Sequence, residues 1–494
     1  MLVQDLLVHE GAENRVALLD KGRTFTYRQL QDLTAMYRDY LYSLGVRAHD
    51  HVAVFSRNSA EYIIATMAIA SLGAVTVPIN FQLRQREIAY ILKDAEVKII
   101  LTYQHINGLE EALEAFAYGG IVKQYDITFW KKVEVKAPAL PADFSENEPC
   151  NIIYTSGTTG SPKGAVLSHK NLVRNAEQMQ HQMHIAVTDN VLCVLPMYHC
   201  FAWTCAVLNP LFVGAQVTII DSFTPKETLE LIRNAKVTAM YAVPSICSLI
   251  ARLGKKEDLE TMRLVVSGGT TMPVQIAKDF MDKFGLSISE GYGLSETSPV
   301  VTMNPPNKTK IGSIGPLIEG VEARIVDEEG NDVKPGEPGE LLVKGDNVML
   351  GYWKLPEATA KALQDGWLHT GDVAKVDEDG YYYIVDRIKD LIISMGENIY
   401  PREIEELLYA YPGIVEASVI GVEDKLRGTA GCCFYCLEEN SDFDIKALKK
   451  YLQQNLALYK IPREFHKIDS LPRTGTGKIS KILLKKMYDE MKSK

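Results

Sequence analysis

The chain has 494 residues, more than one hydrophobic core usually organises, and its 46% hydrophobic content is ample to pack two or more domains. Its 53 basic against 63 acidic residues leave a net charge of -10, the wrong sign for a protein that lives on nucleic acid, so a small-molecule partner is expected instead. The opening MLVQDLLVHEGAENR shows no basic segment ahead of an apolar core, so no secretory signal is read and a cytoplasmic location is expected.

Along the first 300 residues, helical patterns alternate with the short apolar strands HVAVFS, AVTVPI, VKIIL, NIIYT, AQVTII and RLVVSGG, which predicts parallel sheets covered by helices. The longest apolar run, Tyr62 to Ile79, has the length of a membrane span. Its Ala, Ser, Thr and Gly content and its Gly-Ala break suit a buried helix followed by a strand, so no transmembrane span is expected. From Ile311 to Asp386 the turn signals DEEGND, KPGEPGE and DEDG separate short strands, predicting an antiparallel or barrel-like subdomain. After DRIKD come a helix (PREIEELLYAY), two strands (VEASVIGV, AGCCFYC), a helix (DIKALKKYLQQNL), a glycine loop and a basic tail helix. The expected class is α/β: a large N-terminal domain over 1–385 with its β-rich part at 311–385, then a small α+β C-terminal domain over 390–494. The cysteines at 150, 193, 200, 205, 247, 432, 433 and 436 lack the paired spacing of a disulfide framework. Only three thiols, Cys432, Cys433 and Cys436, cluster in CCFYC and no histidine is expected nearby, short of the four ligands of structural zinc, so the stretch is read as a buried strand flanked by polar turns.

The stretch YTSGTTGSPKG, Tyr154 to Gly164, looks built to hold phosphate. Hydroxyls and free backbone N–H groups of Thr155, Ser156, Gly157, Thr158, Thr159 and Gly160 can surround an anion, and Lys163 adds a point charge. The nucleotide P-loop fails on spacing, because there Gly-Lys is followed by Ser or Thr and a helix. Here Lys163 lies between Pro162 and Gly164, and AVLS reads as a strand, so the loop joins two strands.

This loop resembles the phosphate loop of the adenylate-forming superfamily, which includes acyl-CoA synthetases and the adenylation domains of peptide synthetases. Four further stretches match that family's motifs in order: EGYGLSE (Glu290 to Glu296), GWLHTGD (Gly366 to Asp372), YIVDRIKDLI (Tyr383 to Ile392) and PRTGTGKI (Pro472 to Ile479). The resemblance covers essentially the whole chain. It implies attack of a carboxylate on the α-phosphorus of ATP, release of pyrophosphate, and transfer of the acyl group from the adenylate to the thiol of CoA. Donors, Mg²⁺ and lysine must neutralise the triphosphate before a second anion can approach it.

By this resemblance the loop clamps the β- and γ-phosphates, with Thr155 near the metal. Gly291 and Gly293 let the backbone approach the adenine, Tyr292 offers a face to stack on, Glu290 opens the motif, and Ser295 can reach a phosphate. Glu296 is a hard oxygen ligand suited to Mg²⁺. Gly268 and Gly269, in SGG, form the other wall of the adenine slot. Asp372 is an acceptor for ribose hydroxyls, and Arg387 a complementary donor fork. His199, in PMYHC, matches a histidine that orients the acid or guards the CoA entrance. Lys478 matches the catalytic lysine of adenylation, a compact charge on a loop freed by glycines. Lys389 matches the hinge, placed at 386–389, about which the small domain moves, and Gly396 the pantetheine path. Relatives commonly carry an acid after Gly where RGTAG has Thr429, which bears only on local contacts.

A peptide-synthetase module would need an acid in HCFAW, which has none, and a ligase serving a carrier protein usually carries an insertion before the small domain, which is missing. The candidate pocket segments FAWTCAVL, YAVPSICSL and SPVVTM are apolar and hold no arginine for a second carboxylate. The expected substrate is a medium- or long-chain fatty acid, with a cyclic or aromatic acid as the alternative. Oligomeric state is left open, a homodimer being one option.

Overall fold

Four β-sheets organise the computed structural model, which describes residues 1–118, 120, 122–155, 162–394, 397–424, 427–438, 441, 443–473 and 479–492. An eight-stranded sheet runs in the order Val300–Met303, Ile288–Gly293, Leu264–Ser267, Ala239–Ala242, Asn190–Cys193, Gln216–Ile219, Val16–Asp20, Arg23–Thr26. Its inner pairs are parallel and only its two edges are antiparallel. Central strands such as Leu264–Ser267 and Ala239–Ala242 are buried at every position, the pattern of strands covered on both faces. A seven-stranded sheet follows the order Gly351–Tyr352, Lys163–Ser168, Pro149–Thr155, Val75–Pro78, His51–Phe55, Ile99–Thr102, Lys123–Asp126.

The apolar run at Tyr62 to Ile79 becomes the helix Ala60–Ser71 and the strand Val75–Pro78. Ser59 starts the helix by accepting the Tyr62 N–H. Every residue from Ala60 to Ala70 is buried, so the helix is apolar all round because it lies inside the protein. Its one carboxylate, Glu61, is met by the Arg23 guanidinium at 2.6 Å. Among the described residues no helix is long and apolar enough to cross a membrane.

The turn-rich region forms an antiparallel sheet of Val321–Val326, Gly339–Gly345, Trp367–Val376, Leu363–Gln364 and Tyr382–Arg387. The register Asp372↔Arg387 sets those two side chains side by side. Beyond it, Ile414–Asp424 and Gly428–Leu437 form a long hairpin, extended by Ile392–Ser394 with Glu397–Ile399 and by Glu464–Lys467. Helices Pro401–Tyr409 and Ile445–Asn455 bury Ile404, Leu408, Leu448 and Leu452 in one apolar cluster with Val419 and Cys433 of this sheet. Thr429 donates its hydroxyl to the Ile393 carbonyl, a local tie between neighbouring strands.

Two expectations are corrected. FAWTCAVL is core: Ala202–Leu208 is a π-helical segment buried at every residue, and of the stretch Phe201 alone lines either of the two cavities described below. A wound helical segment packed on all sides resembles a pocket wall in composition alone. CCFYC is the buried strand expected, within Gly428–Leu437, but a histidine does stand near it, because the strand Glu464–Lys467 lies parallel to it and sets Glu464 and His466 beside Cys432. There the Glu464 carboxylate is already met by the Lys492 ammonium and the Tyr488 hydroxyl, each at 3.0 Å.

Candidate active site

The phosphate-loop motif is a hairpin mouth. Strand Pro149–Thr155 pairs antiparallel with Lys163–Ser168, and Thr155 lies opposite Lys163, so a hydroxyl and an ammonium flank the loop's base. Both line a cavity of about 280 Å³. Ser156, Gly157, Thr158, Thr159 and Gly160 lie outside the described residues, as do Gly396 and Lys478.

The same cavity is lined by His199, Gly268, Gly269, Gly291, Tyr292, Gly293, Ser295, Glu296, Arg387 and Lys389, brought together from strand ends of two sheets and from the antiparallel subdomain. Asp372 lies behind this lining. Its carboxylate accepts the Tyr292 hydroxyl at 2.5 Å and pairs with Arg387 at 3.0 Å. Burial first, and the Asp372 charge next, hold the Tyr292 phenol well above its ordinary range, so it remains a donor at neutral pH. Tyrosine, aspartate and arginine thus form one wall, with the Asp372 charge matched before any ligand arrives.

The glycines of GYG answer to packing as well as to a ligand. A Cβ on Gly293 would lie 2.0 Å from the Pro299 carbonyl oxygen, and one on Gly291 would lie 2.2 Å from Met303 Cε. The neighbouring strand Val300–Met303 therefore requires them regardless of what fills the cavity.

Glu290 does not line the cavity. It is 5% exposed, and its Oε1 accepts the Met272 N–H at 2.9 Å. Desolvation by burial raises its pKa from 4.5 to about 7. The unfolded carboxyl ionises near 4.5 and the folded one near 7, so the folded state keeps a proton that the unfolded state loses. That stability is complete below pH 4.5 and is lost as pH rises to about 7. Glu290→Gln keeps the acceptor without the charge. The variant should gain on the parent between those two pH values, by at most about 3 kcal/mol, the worth of such a shift. Thermal melts of both proteins across that range check this, and a constant difference between them would refute it.

His199 sits where two cavities meet. Its Nδ1 accepts the Phe201 N–H at 3.2 Å, which in the neutral ring places the proton on Nε2. His199, Phe201 and Gly269 line both the first cavity and a second of about 350 Å³. The second is walled by Val243, Pro244 and Leu249 of the large domain and by Tyr409, Val415, Glu416, Arg473 and Ile479 of the C-terminal region. Arg252 also lines it, one helical turn beyond the quoted pocket segment, so the sequence-based absence of an arginine does not hold for this second cavity. Arg473 is ion-paired with Glu416. The isolated bridge Arg473↔Ile479 lies at this cavity's edge.

Sequence reasoning missed Tyr352, which lines the first cavity. Its strand, Gly351–Tyr352, is two residues long and carries no periodicity. The only local hint is an aromatic pair after a glycine in LGYWKLPEA.

One cavity thus gathers Thr155 and Lys163 at the base of a hairpin, the Glu296 carboxylate, and a histidine shared with a second cavity. The sequence pattern of the AMP-binding enzyme family matches residues 8–353, and that of the AMP-binding enzyme C-terminal domain matches residues 403–478. The chain belongs to this adenylate-forming family and is an acid–thiol ligase within it. It is 36% identical over 474 residues to a feruloyl-CoA synthase of an Amycolatopsis species, covering 93% of each chain. It is 32% identical over 524 residues to a long-chain-fatty-acid–CoA ligase of Bacillus subtilis, covering 97% of this chain and 93% of that one. ATP-bound MatB from Rhodopseudomonas palustris superposes with a TM-score of 0.92 at 29% identity, covering 99% of this chain and 100% of that one. The o-succinylbenzoate CoA synthetase MenE of Bacillus subtilis, in complex with its acyl-adenylate OSB-AMP, superposes with a TM-score of 0.87 at 29% identity, covering 98% and 97%.

Proposed function

We propose that the protein converts a compact apolar carboxylic acid to its CoA thioester in two half-reactions, through an acyl adenylate, using ATP, Mg²⁺ and CoA. The observation that carries this reading is the pair of cavities sharing His199, Phe201 and Gly269. The first has the phosphate-loop mouth, Glu296 for the metal, and the Tyr292–Asp372–Arg387 wall for adenosine. The second gives a thiol a separate approach to the same junction. Hard carboxylate and hydroxyl oxygens at Glu296 and Thr155 fit Mg²⁺, which supplies charge neutralisation on the phosphates. His199 orients the acid at the junction. The CoA ligases among the relatives support this chemistry.

The acid's walls favour a ring over a long chain. Phe201 packs so closely on Gly268 that a Cβ there would lie 3.0 Å from its Cζ, and its ring meets Tyr241 edge-on at 6.0 Å. Behind it, Ala202–Leu208 is buried at every residue. Pro299, Val300 and Met303 complete an apolar slot. An aryl acid is therefore placed ahead of the long-chain fatty acid expected from sequence. Among short saturated acids each added methylene should raise kcat/KM about fourfold, the equivalent of ~0.8 kcal/mol, until the slot is full. AMP release with CoA, across acetate, butyrate, octanoate, palmitate, malonate, benzoate and cinnamate, tests both statements. Cinnamate should exceed palmitate at least about tenfold, a difference of ~1.4 kcal/mol. Palmitate or malonate as best substrate would overturn this view of the slot.

A further inference from the structure

Tyr352 is tied to both charged groups at the phosphate end of the first cavity. Its hydroxyl donates to Glu296 Oε1 at 2.9 Å, and the Lys163 ammonium lies over its ring, 5.2 Å from the centroid. The backbone around it is fastened to the same two elements. Tyr352 lies opposite Ala165 in the antiparallel pair with strand Lys163–Ser168, the Trp353 N–H donates to the Gly164 carbonyl at 2.8 Å, and the Met349 N–H donates to the Glu296 carbonyl at 2.8 Å.

We infer that Tyr352 is a positioning residue for the metal–phosphate end of the site, fixing the Glu296 carboxylate toward the divalent cation and holding Lys163 at a set distance from it. A carboxylate that accepts one hydrogen bond has lost its free rotation and still has lone pairs for a hard cation. A lysine over a ring face keeps its donors available for phosphate while its stem is restrained. One side chain thus sets the spacing of the two charges that a metal-bound triphosphate must bridge. This rests on the proposed role of Glu296 as metal ligand.

The two contacts separate by substitution. Tyr352→Phe removes the hydroxyl and keeps the ring, and should raise about five- to tenfold both the Kd for Mg²⁺ titrated calorimetrically into the enzyme with a non-hydrolysable ATP analogue and the Mg²⁺ concentration for half-maximal pyrophosphate release at saturating ATP, as expected for loss of a hydrogen bond to a charged group. The KM for the acid should stay within about twofold, well inside the effect of that bond. Tyr352→Leu removes the ring as well and should raise the KM for ATP in addition. Glu296→Gln, measured alongside, tests the underlying role. If Glu296→Gln moves the Mg²⁺ dependence and Tyr352→Phe does not, Tyr352 is no positioning residue while the metal site stands. If neither moves it, the metal role of Glu296 fails and the inference with it. A folded Tyr352→Phe protein that loses rate uniformly, at every Mg²⁺, ATP and acid concentration, would mark a structural role and also overturn it.

Discussion

Lys478→Ala should slow acyl-adenylate formation by ~10² to 10³, the usual worth of one well-placed donor to developing charge. Lys478 follows two glycines in GTGK, and the segment that carries it starts and ends at Arg473 and Ile479, both at the rim of the cavity that meets His199. Lys478 itself lies outside the described residues. We propose that its ammonium serves adenylation alone and has no task once the adenylate exists. Transfer from pre-formed acyl adenylate to CoA should therefore fall by less than about tenfold. Equal losses in the two half-reactions would refute this division of labour.

Lys389→Pro should spare adenylation and impair thioester formation. In the conformation described here, Tyr409, Val415, Glu416, Arg473 and Ile479 of the C-terminal region wall the second cavity, the side from which a thiol would arrive. We propose that this region swings aside between half-reactions about residues 386–389, where the strand Tyr382–Arg387 gives way to the short 3₁₀ turn Ile388–Asp390. Proline fixes φ near -65° and opposes any conformation that needs another value. In a single turnover the variant should still release pyrophosphate, yet transfer the acyl group to CoA at least about tenfold more slowly, ~1.4 kcal/mol of barrier. Lys389 also lines the first cavity, so Lys389→Ala serves as the control for lost charge. Undiminished transfer in Lys389→Pro, or the same loss in Lys389→Ala, would place the hinge elsewhere or remove it.

Local patterns disclosed much of this fold because local physics decides it. An apolar run broken by Gly-Ala had to be helix then strand, and turn-rich acidic stretches had to be antiparallel hairpins. The phosphate loop was legible as two strands and a mouth because Pro162 and Gly164 around Lys163 forbid the helix of a P-loop. What stayed hidden depends on contacts between distant segments. FAWTCAVL has the composition of a pocket wall, and only its wrapping by neighbouring helices and strands makes it core. Cys432 and His466 are 34 positions apart and meet through a parallel strand pair. Tyr352 acquires its place from a short strand pairing with Lys163–Ser168 and a single backbone bond from Met349 to Glu296, partners that no window of sequence contains. The same holds for Glu290, whose seat beside the Met272 N–H follows from packing that its motif does not announce.

The most direct test of two chemistries at one site is isotopic. The best acid of the panel, labelled with ¹⁸O in its carboxylate, is turned over with ATP, Mg²⁺ and CoA, and the products are weighed by mass spectrometry. AMP carrying one labelled oxygen, formed in step with the CoA thioester and dependent on CoA for multiple turnovers, is the expected result, because the acyl–AMP bond is made by a carboxylate oxygen and broken at the acyl carbon. Unlabelled AMP, or ADP in its place, would contradict passage through an acyl adenylate.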